Sequence, residues 1–188
     1  MKELSLNILD IAQNSIKAKA SLINITIDET EDTMKVSISD NGCGMPKELL
    51  EKVSDPFCTT RTTRKVGLGI PFFRLAAEQT GGYLEISSIH ELDDMNNHGT
   101  TTTAFFHKNH IDFTPLGDII STICTLIQSC DDYDIVFNHT LPCGFTVNAD
   151  TRQFKEILGD DIPLSNPDVL VWVNGFLSEQ YNNKINNQ

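Results

Sequence analysis

Residues 40–45 of the 188-residue chain read Asp-Asn-Gly-Cys-Gly-Met, a carboxylate followed by two glycines one residue apart. A hairpin turn needs only one glycine at positive φ. The second glycine leaves a loop with almost no side-chain cover, a shape suited to close approach by a ligand. Upstream, Glu3, Asn7, Asp10, Asn14 and Lys17 recur at intervals of four and three, which aligns them as one polar stripe along a helix. Downstream stand Gly67-Leu68-Gly69, just before Pro71, and Asn97-His98-Gly99-Thr100. Glycines on either side of Leu68 permit a tight turn, and the backbone N–H groups of Gly67, Leu68 and Gly69 at a helix start can cradle anionic oxygens. Arg61, Arg64 and Lys65 supply positive charge next to them.

These residues need elements to hold them. Residues 3–19 are predicted as an amphipathic helix, with Ile8, Leu9, Ala12 and Ile16 on the side opposite the polar stripe. SLINITID and TMKVSISD alternate as two strands around the turn ETED, so the glycine loop follows a strand end. Pro46 suits the first position of a short helix, KELLEKVSD, which stops before Asp55-Pro56. FCTTRTTRKVGLGI has no clean period. A further helix runs from Pro71 to Gly81-Gly82, followed by the strands YLEISSI and GTTTTAFF around a polar loop. After about residue 110 the order is helix, hairpin, helix, helix, with Asp150 and Asn166 as N-caps.

A formal charge of −12 argues against partners with anionic backbones or surfaces, so neither nucleic acid nor a membrane is expected. The charge is uneven, at −4 in residues 1–108 and −8 in residues 109–188. The expected organisation is therefore a domain over 1–108 and a small acidic extension over 109–188. The five cysteines form no CxxC pair and are odd in number, which fits reduced thiols. No run reaches the roughly 18 apolar residues of a membrane span, and the N-terminus has no apolar signal core. A cytoplasmic location is expected.

Taken in order, the stripe with Asp10, Asn14 and Lys17, the DNGCGM loop, the VGLGI run and NHGT resemble the GHKL superfamily of gyrases, heat-shock chaperones, histidine kinases and MutL-type repair proteins. The resemblance covers roughly residues 3–107. It implies the Bergerat ATP-binding fold: an α/β two-layer sandwich, with a mixed, mainly antiparallel sheet and helices on one face, here with an α+β C-terminal extension. The whole chain is also similar to small bacterial ATP-binding proteins encoded near hydrogenase and ferredoxin-like subunits.

The resemblance implies ATP and Mg²⁺ as ligands. Asp40 stands where the family's aspartate accepts a hydrogen bond from the adenine amine, which favours adenine over guanine. Gly42 and Gly44 would let the backbone pass the purine, and Met45 would wall it. Asn14 falls on the metal-binding asparagine, and Lys17 on a phosphate-contacting basic residue. The segment with Phe57, Thr60, Arg61, Arg64, Lys65, Gly67, Leu68 and Gly69 resembles the phosphate lid of histidine kinases. Thr100 matches a threonine that helps position the adenine-site aspartate. Asp10 departs from the pattern, because ATPase branches carry glutamate there and sensor kinases asparagine. It is the candidate general base, one methylene short in reach. Asn7 and Glu3 read as polar side chains facing solvent, His98 as an unpartnered surface-loop histidine, and Cys43 and Cys58 as small apolar residues.

The chain opens on the first helix of the ATP domain, so any phosphoryl acceptor is expected on another protein. Phosphorylation of a partner in trans is one reading. A slow ATPase that switches a partner's conformation and a non-catalytic ATP sensor are the others. Self-association as a homodimer is compatible with all three.

Overall fold

A computed structural model describes residues 3–54, 69–130, 132–159 and 161–183. Helix α1 (Leu4–Lys17) forms because Leu4, Ile8, Ile11, Ala12 and Ser15 fall on one face, and all of them are buried. Strands β1 (Leu22–Glu29) and β2 (Thr33–Asp40) pair antiparallel, placing Ile23, Ile25 and Ile27 beside Met34, Val36 and Ile38 on the same buried side. Short α2 (Lys47–Ser54) follows the glycine loop, and α3 (Gly69–Glu78) leads into β3 (Tyr83–Ile89) and β4 (Gly99–His107).

The rest of the chain continues the same sheet. Helix α4 (Ile119–Gln128) is capped by Asp118, whose carboxylate accepts from the Ser121 backbone N–H and holds its pKa low through that residue's hydroxyl and amide. Strand β5 (Asp134–Thr140) pairs parallel to β1, and β6 (Thr146–Asp150) pairs antiparallel to β5. Helices α5 (Thr151–Leu158) and α6 (Pro167–Asn183) complete the order. The six strands run β3-β4-β2-β1-β5-β6, and only the β1-β5 pair among them is parallel.

The sheet has two unlike faces. Ile25, Val36, Ala104 and Phe137 are fully buried beneath the helices, where Phe73 of α3 meets Phe106 at 5.7 Å between ring centres. The other face carries Lys35, Ser37, Glu85, Ser87, Thr103 and Asn148, the half-solvated arrangement usual for an antiparallel sheet. This is the expected two-layer α/β sandwich, mixed and mainly antiparallel. Helix α3 begins at Gly69, two residues before Pro71. Proline tolerates a first helical turn, where its missing N–H has no intrahelical partner to lose.

Candidate nucleotide site

The ends of β2 and β4, the underside of α1, the glycine loop, α2 and the start of α3 enclose a cavity of about 300 Å³. Its lining is Ile11, Asn14, Ser15, Ala18, Ile38, Asp40, Gly44, Met45, Leu49, Val53, Ile70, Thr100 and Thr102. A mostly apolar wall with a few convergent polar groups is the usual build of a small-molecule site.

Asp40 is fixed from two sides. Its Oδ2 accepts from the Ser15 hydroxyl at 2.6 Å, and its Oδ1 accepts from the Gly42 N–H at 2.9 Å. The second bond is an Asx turn at the strand end, and it leaves lone pairs on both oxygens for a ligand in the cavity. Asn41 anchors the same loop to the start of β1, its Oδ1 accepting from the backbone N–H groups of Ser21 and Leu22.

Each glycine of the loop answers to a packing demand. A Cβ on Gly42 would lie 2.8 Å from the Ala18 carbonyl oxygen, so this glycine lets the loop close on the end of α1. Gly42 itself stands next to the cavity lining, between Asp40 and Gly44. Gly44 does line the cavity, at φ +68, and a Cβ there would collide with the Ile89 carbonyl. Gly69 opens α3 directly against α1, where a Cβ would sit 2.8 Å from Asp10 Cβ. The glycine run and Asp10 are thereby brought together, although Asp10 stands beside the cavity and not in its wall.

Ser88 is the joint between loop and sheet. Its hydroxyl donates to the Gly99 carbonyl at 3.0 Å and accepts from the Met45 N–H at 2.8 Å, with Thr100 Oγ1 also 2.8 Å away. Thr100 is the cross-strand partner of Asp40, but the hydroxyl that holds the carboxylate belongs to Ser15. His98 does have a partner. Its Nδ1 lies 2.6 Å from the Gly42 carbonyl, which can only accept, so Nδ1 carries the proton. Asp94 organises the same β3–β4 loop, with its carboxyl held low first by the Asn97 side-chain amide and then by the Asn96 N–H.

Two further expectations on α1 change. Asn7 is buried, at 1% exposure, and neither of its amide atoms has a hydrogen-bond partner among the described residues. Glu3 accepts from the Asp118 N–H at 3.3 Å and so joins α1 to α4. Lys17 is exposed and outside the lining, since its position turns it towards solvent at the end of the helix. Phe57, Cys58, Thr60, Arg61, Arg64, Lys65, Gly67 and Leu68 lie outside the described residues. Ser15, Ser88 and Thr102 escape a reading of the sequence. Their one signal is a polar residue at an inward position of an otherwise apolar row.

The family model described as "Histidine kinase-, DNA gyrase B-, and HSP90-like ATPase" matches residues 2–110. The chain belongs to this ATPase family. A Rickettsia conorii protein bearing the name sensor histidine kinase NtrY-like is 32% identical over 89 residues, 47% of this chain and 15% of that protein. The signal transduction histidine-protein kinase AtoS of Escherichia coli is 32% identical over 89 residues, 47% of this chain and 14% of AtoS. This member of the ATPase family thus spans about 15% of the length of the curated relatives it matches. The Aquifex aeolicus MutL ATPase domain complexed with ADP superposes with a TM-score of 0.51 at 12% identity, covering 84% of this chain and 69% of that one. That likeness is one of fold. Among the described residues no helix is long and apolar enough to cross a membrane.

Proposed function

We propose that the cavity binds ATP with magnesium and that the chain uses it to phosphorylate a partner protein in trans, in the cytoplasm. The observation that carries the ATP assignment is the paired anchoring of Asp40 at the end of an apolar slot. A carboxylate locked by Ser15 and Gly42 accepts a purine amino group without reorganising, while Met45, Ile38 and Ile70 pack the ring. An oxo group offered at the same place meets only acceptors, which disfavours guanine.

Magnesium fits the donor set. The Asn14 amide is in the cavity wall, and this ion takes oxygen ligands while relying on one or two protein groups plus phosphates and water. When bound, the ion would neutralise charge developing on the transferred phosphoryl group. Lys17, Thr60, Arg61, Arg64, Lys65 and the backbone of Gly67, Leu68 and Gly69 are assigned to the phosphates. Likeness to sensor kinases supports transfer over mere sensing.

A second reading, slow hydrolysis, is favoured by one contact. Asp10 abuts Gly69 at the start of α3, so a carboxylate stands where a helix N-terminus would receive phosphate. Phosphate release measured on wild type and Asp10→Ala separates the two. Trans phosphorylation predicts γ-labelled phosphate on a protein of the native cell extract, with residual release untouched by the substitution. Release abolished by Asp10→Ala, with no labelled protein, assigns the chain to hydrolysis.

A further inference from the structure

Helix α6 carries apolar residues on two sides. Val169, Val173 and Leu177 are buried against the body of the protein, as one face requires. The outer side carries Asp168, Val171, Trp172, Gly175 and Glu179, all exposed. Val171 is 73% exposed and Trp172 44% exposed. On α5, Ile157 is 73% exposed, one turn beyond Phe154, whose ring packs on Trp172 at 5.2 Å. Val171, Trp172 and Ile157 are thus apolar side chains left at the surface, away from the buried side of the helix and bordered by acids.

Gly175 points the same way. A Cβ there would meet nothing within 4 Å, so the fold does not require glycine in the middle of this helix, and glycine weakens a helix. Its absent side chain leaves the backbone one turn from Trp172 bare, so a second backbone can approach closely.

Charge selects the occupant. Residues 156–183 hold five acids and no lysine or arginine. The two nearby cations on α5 are already committed, Arg152 to Asp150 at 2.6 Å and Lys155 to Asp134 at 2.8 Å. A second copy would bring like charges together on chains that each carry −12. We propose that the outer face of α6, with Ile157, docks a basic amphipathic helix of another protein. Its apolar stripe seats on Val171, Trp172 and Gly175, and its flanking lysines or arginines meet Glu156, Asp161, Asp168 and Glu179.

Trp172 is the chain's single tryptophan, so its emission reports on the face directly. The probe is a synthetic helical peptide with a leucine stripe and lysine flanks, compared with a twin carrying glutamate flanks. The lysine peptide is expected to shift Trp172 emission saturably and to bind at least about tenfold more tightly than its twin at low salt. Gly175→Gln covers that bare backbone with a better helix former. It is expected to keep or raise the melting temperature while weakening the lysine peptide about tenfold. No binding, equal binding of both peptides, or binding indifferent to Gly175→Gln overturns the proposal. So does sedimentation showing a dimer that Gly175→Gln dissolves, because the face then belongs to a second copy. None of these readouts requires nucleotide.

Discussion

Ser15 is the residue on which Asp40 leans, a hydroxyl donating to a carboxylate at 2.6 Å from the buried side of α1. A hydrogen bond to a charged group contributes about 1.5–3 kcal/mol, so Ser15→Ala should weaken ATP binding by about one to two decades. The small loss of side-chain volume leaves the helix intact. Calorimetric titration of the variant checks this, and unchanged affinity would remove Ser15 from the site. Asp40, Asn14, Gly44, Met45 and Thr100, which the family resemblance singles out, all line the cavity. Ser15 and Ser88 are not legible in the sequence, because a lone serine in an apolar row carries no mark of the partner it will meet 25 or 43 residues away. His98 is hidden for the same reason, its carbonyl partner lying 56 residues upstream.

At the scale of elements, two glycines should respond oppositely to one substitution. Gly69→Ala gains helix propensity but drives a Cβ to 2.8 Å from Asp10 Cβ, prying α3 from α1 at a cost of about 1–3 kcal/mol. Gly175→Ala places its methyl in open space and should stabilise by roughly 0.5–1 kcal/mol. Urea unfolding of both variants reads the signs, and a stable Gly69→Ala protein would contradict the tight α1–α3 contact. Every helix and strand after residue 110 is visible in local patterning, as is the cap at Asp150, which accepts from the Arg152 N–H. Their destination is not. The parallel pairing of β5 with β1 joins Ile135 to Ile23 across more than a hundred residues, and no local residue preference encodes such a register.

In the whole molecule, a partly buried network ties the early strands to the last helix. Lys108 reaches Glu29 Oε1 at 2.6 Å, the His139 Nε2–H donates to Glu29 Oε2 at 3.1 Å, and the Tyr181 hydroxyl meets His139 Nδ1 at 2.8 Å. The bond from His139, ahead of the Lys108 contributions, lowers the Glu29 carboxyl from 4.5 to about 2, against the opposing effect of burial. Burial, then the charge of Glu29, raises the Tyr181 phenol. A depressed folded-state pKa stabilises above the unfolded value, and the gain disappears as pH falls from 4.5 through about 2. Glu29→Gln should therefore cost about 2 kcal/mol at neutral pH, with the gap from wild type closing across that window in denaturant titrations. A gap independent of pH would contradict the network.

The proposed ATP site brings the sheet, α1 and the glycine loop together around a single acid, Asp40. The most direct test is calorimetric titration of Mg-ATP into wild type and a folded Asp40→Ala protein. Binding should be lost or fall by at least about two decades in the variant. Equal affinity in the two proteins would contradict the assignment of the cavity to ATP.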